Sequence, residues 1–358
     1  MINFLFQKFL NLIFALFGVV TVIFFLFHVI PSDPAQMMLG QIENEEQIQI
    51  IEKRFGFNLP IEKQYLFYLN DLSPLSFHSN NNEALNYYDK SKYGGLVFLS
   101  ISEYYLVLKF PYLRTSYQKS GKPVSEIIKE TLPNTFILAL ASILIATFFG
   151  ILFGIISALN KKNMTDKLLQ FVCTLGMSIP SFFSAILFSW FFGFIISEYT
   201  NLNMTGSLYE LDDYGESEVL KLKNLILPSF VLGIRPLSVI IQLMRTSLID
   251  VLNKEYIRTA KAKGLSIYKI IYSHSLKNSL NPVITVLSGW FASLLAGSIF
   301  VEYVFGWNGL GKEIIFALNH MDIPVIMGST FIIAFFFIII NILVDITHLY
   351  LDPRIKHY

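Results

Sequence analysis

Charge is scarce in this chain. Asp, Glu, Lys and Arg together supply 15% of its 358 residues, against roughly a quarter in soluble domains. The formal net charge is +1, so the basic surplus that nucleic-acid binding requires is missing. Cysteine is almost absent too: Cys173 stands alone in an apolar run, which excludes an intrachain disulfide and any cysteine-rich zinc site. His28, His78, His274, His320, His348 and His357 are scattered without HExxH or similar spacing, and no Gly-x-Ser-x-Gly elbow occurs. What the chain has in abundance is apolar surface, at 54% hydrophobic residues. Such a composition belongs in a membrane.

A helix rises about 1.5 Å per residue and the bilayer core is about 30 Å thick, so a spanning helix needs about twenty apolar residues. Six runs meet that length: about Phe9 to Ile30, Pro133 to Leu159, Leu168 to Ile196, Ile226 to Arg245, Pro282 to Tyr303 and Pro324 to Tyr350. The first is longer than a signal-peptide core and is followed by Pro31-Ser32-Asp33-Pro34 in place of a small-residue cleavage site, so it reads as a retained anchor. Pro133, Pro228, Pro282 and Pro324 are expected at or near first helical turns, where a missing N–H costs nothing. Ile179-Pro180-Ser181 predicts a kink near the middle of the third span.

Orientation follows from the basic residues of the short loops. Lys161, Lys162 and Lys167, then Lys254, Arg258, Lys261, Lys263, Lys269 and Lys277, then Arg354 and Lys356 all fall on one side. The opposite loop carries Glu198, Glu210, Asp212, Asp213, Glu216 and Glu218. Both termini are therefore expected in the cytoplasm. The long segment from Pro31 to Thr131 lies outside: EEQIQIIEKRFGF predicts an amphipathic helix ending near Gly56, a turn at Pro60 and a second helix from about Glu62 to Leu72 follow, and LVFLSISEYYLVLKF has strand character. The expected divisions are an anchor at 1–30, an extracytoplasmic segment at 31–131 with a β-containing insertion at about 77–112, a five-helix core at 132–350 and a short tail at 351–358.

The most distinctive stretch runs from Asn253 to Pro282. Asn253 is expected to cap a helix with the body KEYIRTAKAK, Gly264 to close it in the left-handed conformation, and Ser266 to cap the next. Thr259, Ala260 and Ala262 are small enough for another backbone to approach, and Tyr256, Ile257, Leu265 and Ile267 offer apolar anchors. A solvated basic loop would explain the lysines through the positive-inside rule, but not the helix-glycine-helix pattern.

These residues resemble the permease subunits of ABC importers for peptides, with nickel permeases as close relatives. YIRTAKAKGLS at Tyr256 to Ser266, followed by His274, Asn278 and Pro282, is similar to the family's EAA segment, with Arg258-Thr259-Ala260 in the namesake places. Further matches are Ile30 to Pro34, Gly56-Phe57-Asn58-Leu59-Pro60 with Gln64-Tyr65, Ser178 to Phe182, Leu227-Pro228, Gly297, Glu302, Phe305 and Gly309-Leu310-Gly311. Asp322 to Val325, Asn341, Asp345 and Leu351 to Arg354 complete the series. Ser32 stands where the family commonly has Gly, Asn308 where it often has Pro, and about Phe77 to Tyr112 looks inserted.

The resemblance implies an all-α polytopic membrane protein with six transmembrane helices in the type I ABC importer permease fold. It implies a bacterial inner-membrane transport subunit, not an enzyme, that forms the solute path with a second homologous permease. Two cytoplasmic ABC ATPases would use ATP-Mg, while an extracytoplasmic binding protein delivers solute; this chain itself would bind no cofactor. It also implies that Tyr256, Arg258, Thr259, Ala260, Ala262, Gly264 and Leu265 couple the chain to the ATPases. Arg235, halfway along the fourth span, is a path-lining residue or half of a structural ion pair. Pro180 and Ser181 shape a gate or simply a kink, and Glu302 and Asp345 suit capping or pairing near the interfaces.

Gly306 to Lys312 fits G-x-x-x-x-G-K, yet Glu313 follows where a phosphate loop needs Ser or Thr, and no buried strand precedes it. It reads as a tight turn. An intramembrane enzyme would need a nucleophile or metal set that the spans lack. An ion-driven transporter usually shows internal repeats and midplane acids, whereas the midplane charge here is basic. A nickel-chelate permease stays open as the alternative to peptides.

Overall fold

The computed structural model describes residues 2–29, 45–82, 84–212 and 214–351. The expected features at Ile30 to Pro34, Asp213, Asp352 to Arg354 and Lys356 lie outside these residues. Among the described residues four helices are long and apolar enough to cross a membrane, and up to six spans result if each of two bent pairs counts as one. The unbroken four are Ile2–Val29, Val124–Leu159, Lys223–Leu252 and Ile323–Leu351. The bent pairs are Met164–Ser178 with Ser181–Ile195, and Ile267–Ser279 with Asn281–Gly297.

Proline placement departs from expectation in two helices. Pro282 and Pro324 sit at helix starts, but Pro133 and Pro228 lie inside helices that begin upstream at Val124 and Lys223. Each interior proline forfeits one hydrogen bond, a loss that neighbouring helices make tolerable in a bundle. Pro180 departs in the other direction. Ile179 and Pro180 are extended, at ψ 130° and 138°, and the flanking helices meet at 110°. Steric pressure of the proline ring on the preceding residue ends the first helix outright, so a corner replaces the expected kink.

The chain divides into two compact units, Met1–Glu130 with Glu313–Ala334, and Thr131–Lys312 with Phe335–Tyr358. In the second, Gly150 and Gly154 let helix Val124–Leu159 press against helix Lys223–Leu252. A Cβ at either would fall 2.6 Å from Ile240 or Met244, which is the close approach that G-x-x-x-G spacing allows between membrane helices. At one end of this contact, Asp166 holds Arg245 in a two-pronged ion pair, Nε to Oδ1 at 2.6 Å and Nη2 to Oδ2 at 2.7 Å. Ser157 Oγ and the Lys162 backbone N–H donate to the same carboxylate at 2.6 and 2.8 Å. One buried acid thus ties three helices.

In the first unit, Glu45–Phe55 and Ile61–Leu72 form the two expected helices, with Gly56 at φ +74° between them. Strands β1 (Leu75–Ser79), β2 (Leu96–Ile101) and β3 (Tyr104–Leu108) make an antiparallel sheet in the order β1-β3-β2. Glu313–Ala334 groups here because Asp322 accepts from the Tyr117 N–H at 3.0 Å and from the Ser116 hydroxyl, while Lys119 pairs with Glu313 at 2.5 Å. Behind the sheet, His78 and Ser76 are fully buried and share a 2.9 Å hydrogen bond. Burial lowers the His78 pKa below the ordinary value and pulls Lys109 down to about 8. Lys109 donates to the Asp71 carbonyl, which also accepts from the Tyr112 N–H at 2.8 Å.

Two outcomes follow. Asp166→Ala leaves Arg245 without its carboxylate and is expected to destabilise the protein by about 3 kcal/mol, whereas Lys122→Gln in the exposed Lys122–Glu130 pair costs less than about 1 kcal/mol. Thermal unfolding in detergent checks both. In the first unit the folded state binds fewer protons than the unfolded state between the lowered Lys109 pKa of about 8 and its ordinary value, so stability rises with pH there. Above about 10 the trend reverses, because burial pushes Tyr112 up to about 12 and the folded state then holds its proton longer. Near-ultraviolet dichroism of thermal unfolding is expected to show that rise, and Lys109→Met to diminish it, with the burial-lowered Lys92 supplying the remainder.

Candidate functional site

The segment after helix Lys223–Leu252 folds as an elbow. Its first arm is helix Glu255–Ala262, and its second begins at Ile267. Asn253 closes the preceding helix at φ −90°, ψ −3°, and Lys254, at ψ 152°, occupies the cap position expected for Asn253. The long helix runs to Leu252, so the only extended residue available to start the next one is Lys254. Ser266 does stand at the second cap position, at ψ 152°, although its side chain makes no capping bond.

The bend itself forms as the sequence predicts. Gly264 lies at φ +76°, its N–H donates to the Lys261 carbonyl at 2.9 Å, and the Leu265 N–H donates to the Ala260 carbonyl at 3.3 Å. These paired bonds are the Schellman closure of a helix, which requires the left-handed residue. A Cβ on Gly264 would meet nothing within 4 Å, so the glycine is needed for its backbone angle and not for space.

Ile257 and Ala260 are buried against Ile270, with Leu252 and Leu265 packed around them. They were expected to face a partner, but they are the elbow's own core and make its two arms one rigid piece. The remaining residues do face out: Tyr256, Arg258, Thr259, Ala262 and Gly264 are exposed and Leu265 is half-buried. Ile267 is exposed as well. Asn278 of the second arm donates to the Tyr256 hydroxyl at 3.0 Å, and the Arg258–Glu255 pair at 3.1 Å is fully solvated. Tyr268 and Tyr272, missed by the sequence reading, are 79% and 81% exposed beyond the bend. Their i,i+4 spacing was the signal.

Arg235 is exposed on a helix whose next residue, Pro236, is buried, and among the described residues it has no hydrogen-bond or ion-pair partner. Pro180 is exposed at the 110° corner and Ser181 is half-buried beside it. Asp345 is half-buried.

Glu302 is fully buried and caps a helix. Its Oε2 accepts from the N–H groups of Gly311 and Lys312 at 2.7 and 3.3 Å, at the start of helix Leu310–Asn319, while its Oε1 is buried without a hydrogen-bond partner among the described residues. The nest resembling a phosphate loop is therefore filled by the chain's own carboxylate. Gly309 must lack a side chain because its Cβ would lie 2.4 Å from that oxygen. Gly306, at φ +67°, makes the expected tight turn. Asn308, in the place often held by proline, uses the N–H a proline lacks, donating to Ser207 Oγ at 3.1 Å.

Glu302→Ala would strand the amides of Gly311 and Lys312 and is expected to lower stability by about 1–3 kcal/mol. Gly309→Ala, by displacing the same carboxylate, is expected to match it in a thermal unfolding measurement.

Residues 150–357 match the family described as binding-protein-dependent transport system inner membrane component, and residues 1–81 match its N-terminal region. The dipeptide transport system permease protein DppB of Alkalihalophilus pseudofirmus is 32% identical, with 100% of each chain covered. The oligopeptide transport system permease protein AppB of Bacillus subtilis is 31% identical over 96% of this chain and 95% of that one. The di/tripeptide transport system permease protein DppB of Pseudomonas aeruginosa is 30% identical over 100% and 99%. More than half of the chain fits the family and full-length relatives reach 30% identity, so this multi-pass helical membrane protein belongs to the inner-membrane permease subunits of binding-protein-dependent transport systems.

Proposed function

We propose that this chain is one of two permeases of an ATP-driven importer for di- or oligopeptides. It forms the solute path with a second, related permease, receives solute from an extracytoplasmic binding protein, and is driven by two cytoplasmic ATPases. The peptide reading is supported by the full-length relatives, which are dipeptide, di/tripeptide and oligopeptide permeases. The loop lysines support cytoplasmic termini and a cytoplasmic elbow.

The observation that carries the coupling is the build of the elbow. An apolar core of Ile257, Ala260 and Ile270 stiffens it, a Schellman closure fixes its angle, and only one residue separates helix Lys223–Leu252 from its first capped turn. A body of this kind, held in an ATPase cleft by Tyr256, Thr259, Ala262 and Ile267, passes rotation to the helix that carries Arg235. Arg258 and the lysines orient it. Force transmission needs stiffness, and a β-branched residue at the left-handed position would cost about 1–3 kcal/mol of strain.

Gly264→Val is therefore expected to abolish peptide uptake at normal membrane levels, while Gly264→Asn, which tolerates the left-handed region, retains most of it. Normal uptake by the valine variant would refute the coupling role. Arg235 meets a peptide carboxylate in this reading, which its exposure and its lack of a partner among the described residues support. Competition uptake by Arg235→Gln is expected to fall at least tenfold for peptides with a free C-terminus and little for amidated ones. Equal loss of both would assign the arginine to pairing with another subunit.

A further inference from the structure

Among the described residues of the first unit, two cavities share a wall. One, of about 210 Å³, is lined by Phe24, Phe27, Phe57, Leu72, Met327 and Gly328. The other, of about 100 Å³, is lined by Asn70, Asp71, Asn86, Lys92, Tyr93 and Tyr112. Phe55, Phe67, Arg114 and Tyr117 border both. The first chamber is mainly apolar, with Gln64 and Tyr68 in its wall, the second is more polar, and Arg114 lines both.

Cations exceed acids in the polar chamber. Asp71 is engaged by Arg114 Nε at 2.9 Å. Lys92 has no carboxylate within salt-bridge distance among the described residues; its ammonium lies over the rings of Tyr93 and Tyr112, at 4.6 and 5.3 Å from their centroids. The neighbouring acid, Asp89, is occupied by the Ser91 amide and hydroxyl at 2.8 and 2.6 Å. Lys109, 5.6 Å from the Tyr93 centroid, adds to the positive side. A cation over aromatic rings is held in place without being neutralised, and so stays available to an anion.

Backbone strain marks the junction. Arg114 adopts φ +64°, a left-handed angle that strains a non-glycine residue and that clusters at ligand clamps. It is maintained by the Val124 N–H, which donates to the Arg114 carbonyl at 3.0 Å, and by Asp71.

Location supplies the remaining clue. Phe24 and Phe27 close the membrane-length stretch Phe6–Phe27, and Met327 and Gly328 lie near the start of Ile323–Ile346. Both walls of the apolar chamber therefore come from the ends of spans, at the depth where acyl chains give way to headgroups.

We propose that the two adjoining chambers together bind an anionic amphiphile, with an acyl chain among Phe24, Phe27 and Met327 and a carboxylate or phosphate against Lys92 and Arg114. A phospholipid of the bilayer and a free fatty acid share this chemistry. The site is independent of the transported solute, and its test does not read transport.

The full chain in phosphatidylcholine nanodiscs is photolysed with diazirine-bearing palmitic acid, or with the corresponding alcohol, and the adducts are mapped by mass spectrometry. Acid adducts are expected on the segments around Phe27, Phe57 and Met327, several-fold above those of the alcohol. Lys92→Gln, at an exposed position that leaves the Asp71–Arg114 pair intact, is expected to lower acid labelling several-fold without changing alcohol labelling. Met327→Trp, which fills the chamber, is expected to lower both. Adding phosphatidylglycerol to the nanodiscs distinguishes the sources: competition assigns the site to a bilayer lipid, and undiminished labelling assigns it to a fatty acid. Equal labelling by acid and alcohol, full labelling of Lys92→Gln, or adducts confined to other segments would overturn the proposal.

Discussion

The Asp166–Arg245 ion pair is the contact on which the second unit depends. A carboxylate with 4% side-chain exposure satisfies a guanidinium twice, a serine hydroxyl and a backbone amide, and each partner comes from a different stretch of chain. Burying such an acid is costly unless its hydrogen-bonding capacity is filled, and here it is. The result is a fixed joint among helices Val124–Leu159, Met164–Ser178 and Lys223–Leu252. Above the joint, glycines at 150 and 154 let backbones meet at distances that larger side chains forbid. Below it, the last turns of helix Lys223–Leu252 lead directly into the elbow. In the proposed coupling, rigidity at this joint would let a rotation of the elbow become a rotation of the helix.

Elsewhere the chain satisfies backbone amides with its own side chains. Glu302 takes the place of an external anion at the start of helix Leu310–Asn319, which explains why Gly309 and Gly311 are glycines and why the phosphate-loop pattern there is misleading. In the first unit, Asp71 gathers Arg114 through its carboxylate and Lys109 through its carbonyl. These are structural uses of charge, each with its partner in the chain. Arg235 and Lys92 differ, because they are cations without a partnered carboxylate among the described residues, and both carry functional readings for that reason.

The spans, the two amphipathic helices before the sheet, the strand character of 96–108 and the glycine bend at 264 were legible because each rests on local periodicity or on one residue's backbone preference. The family was legible because many weak motifs occur in order. Less legible were the features set by distant contacts. Asn253 had the right chemistry for a cap but lost the position to Lys254, since packing carried the preceding helix to Leu252. Ile257 and Ala260 looked like anchors for a partner, and their burial against Ile270 could not be read without knowing how the two arms fold together. Pro180 announced a break, but the angle of 110° belongs to the surrounding packing.

The sequence by itself determined that this is a membrane-spanning helical protein with a glycine-hinged basic loop, because hydropathy, loop charge and left-handed backbone preference act within a few residues. Only the tertiary structure decided which face of the elbow is free, which acid holds which arginine, and that an apolar and a cationic chamber adjoin at Arg114. Those outcomes arise from side chains brought together across tens to hundreds of residues, where burial and pairing energies outweigh any local preference.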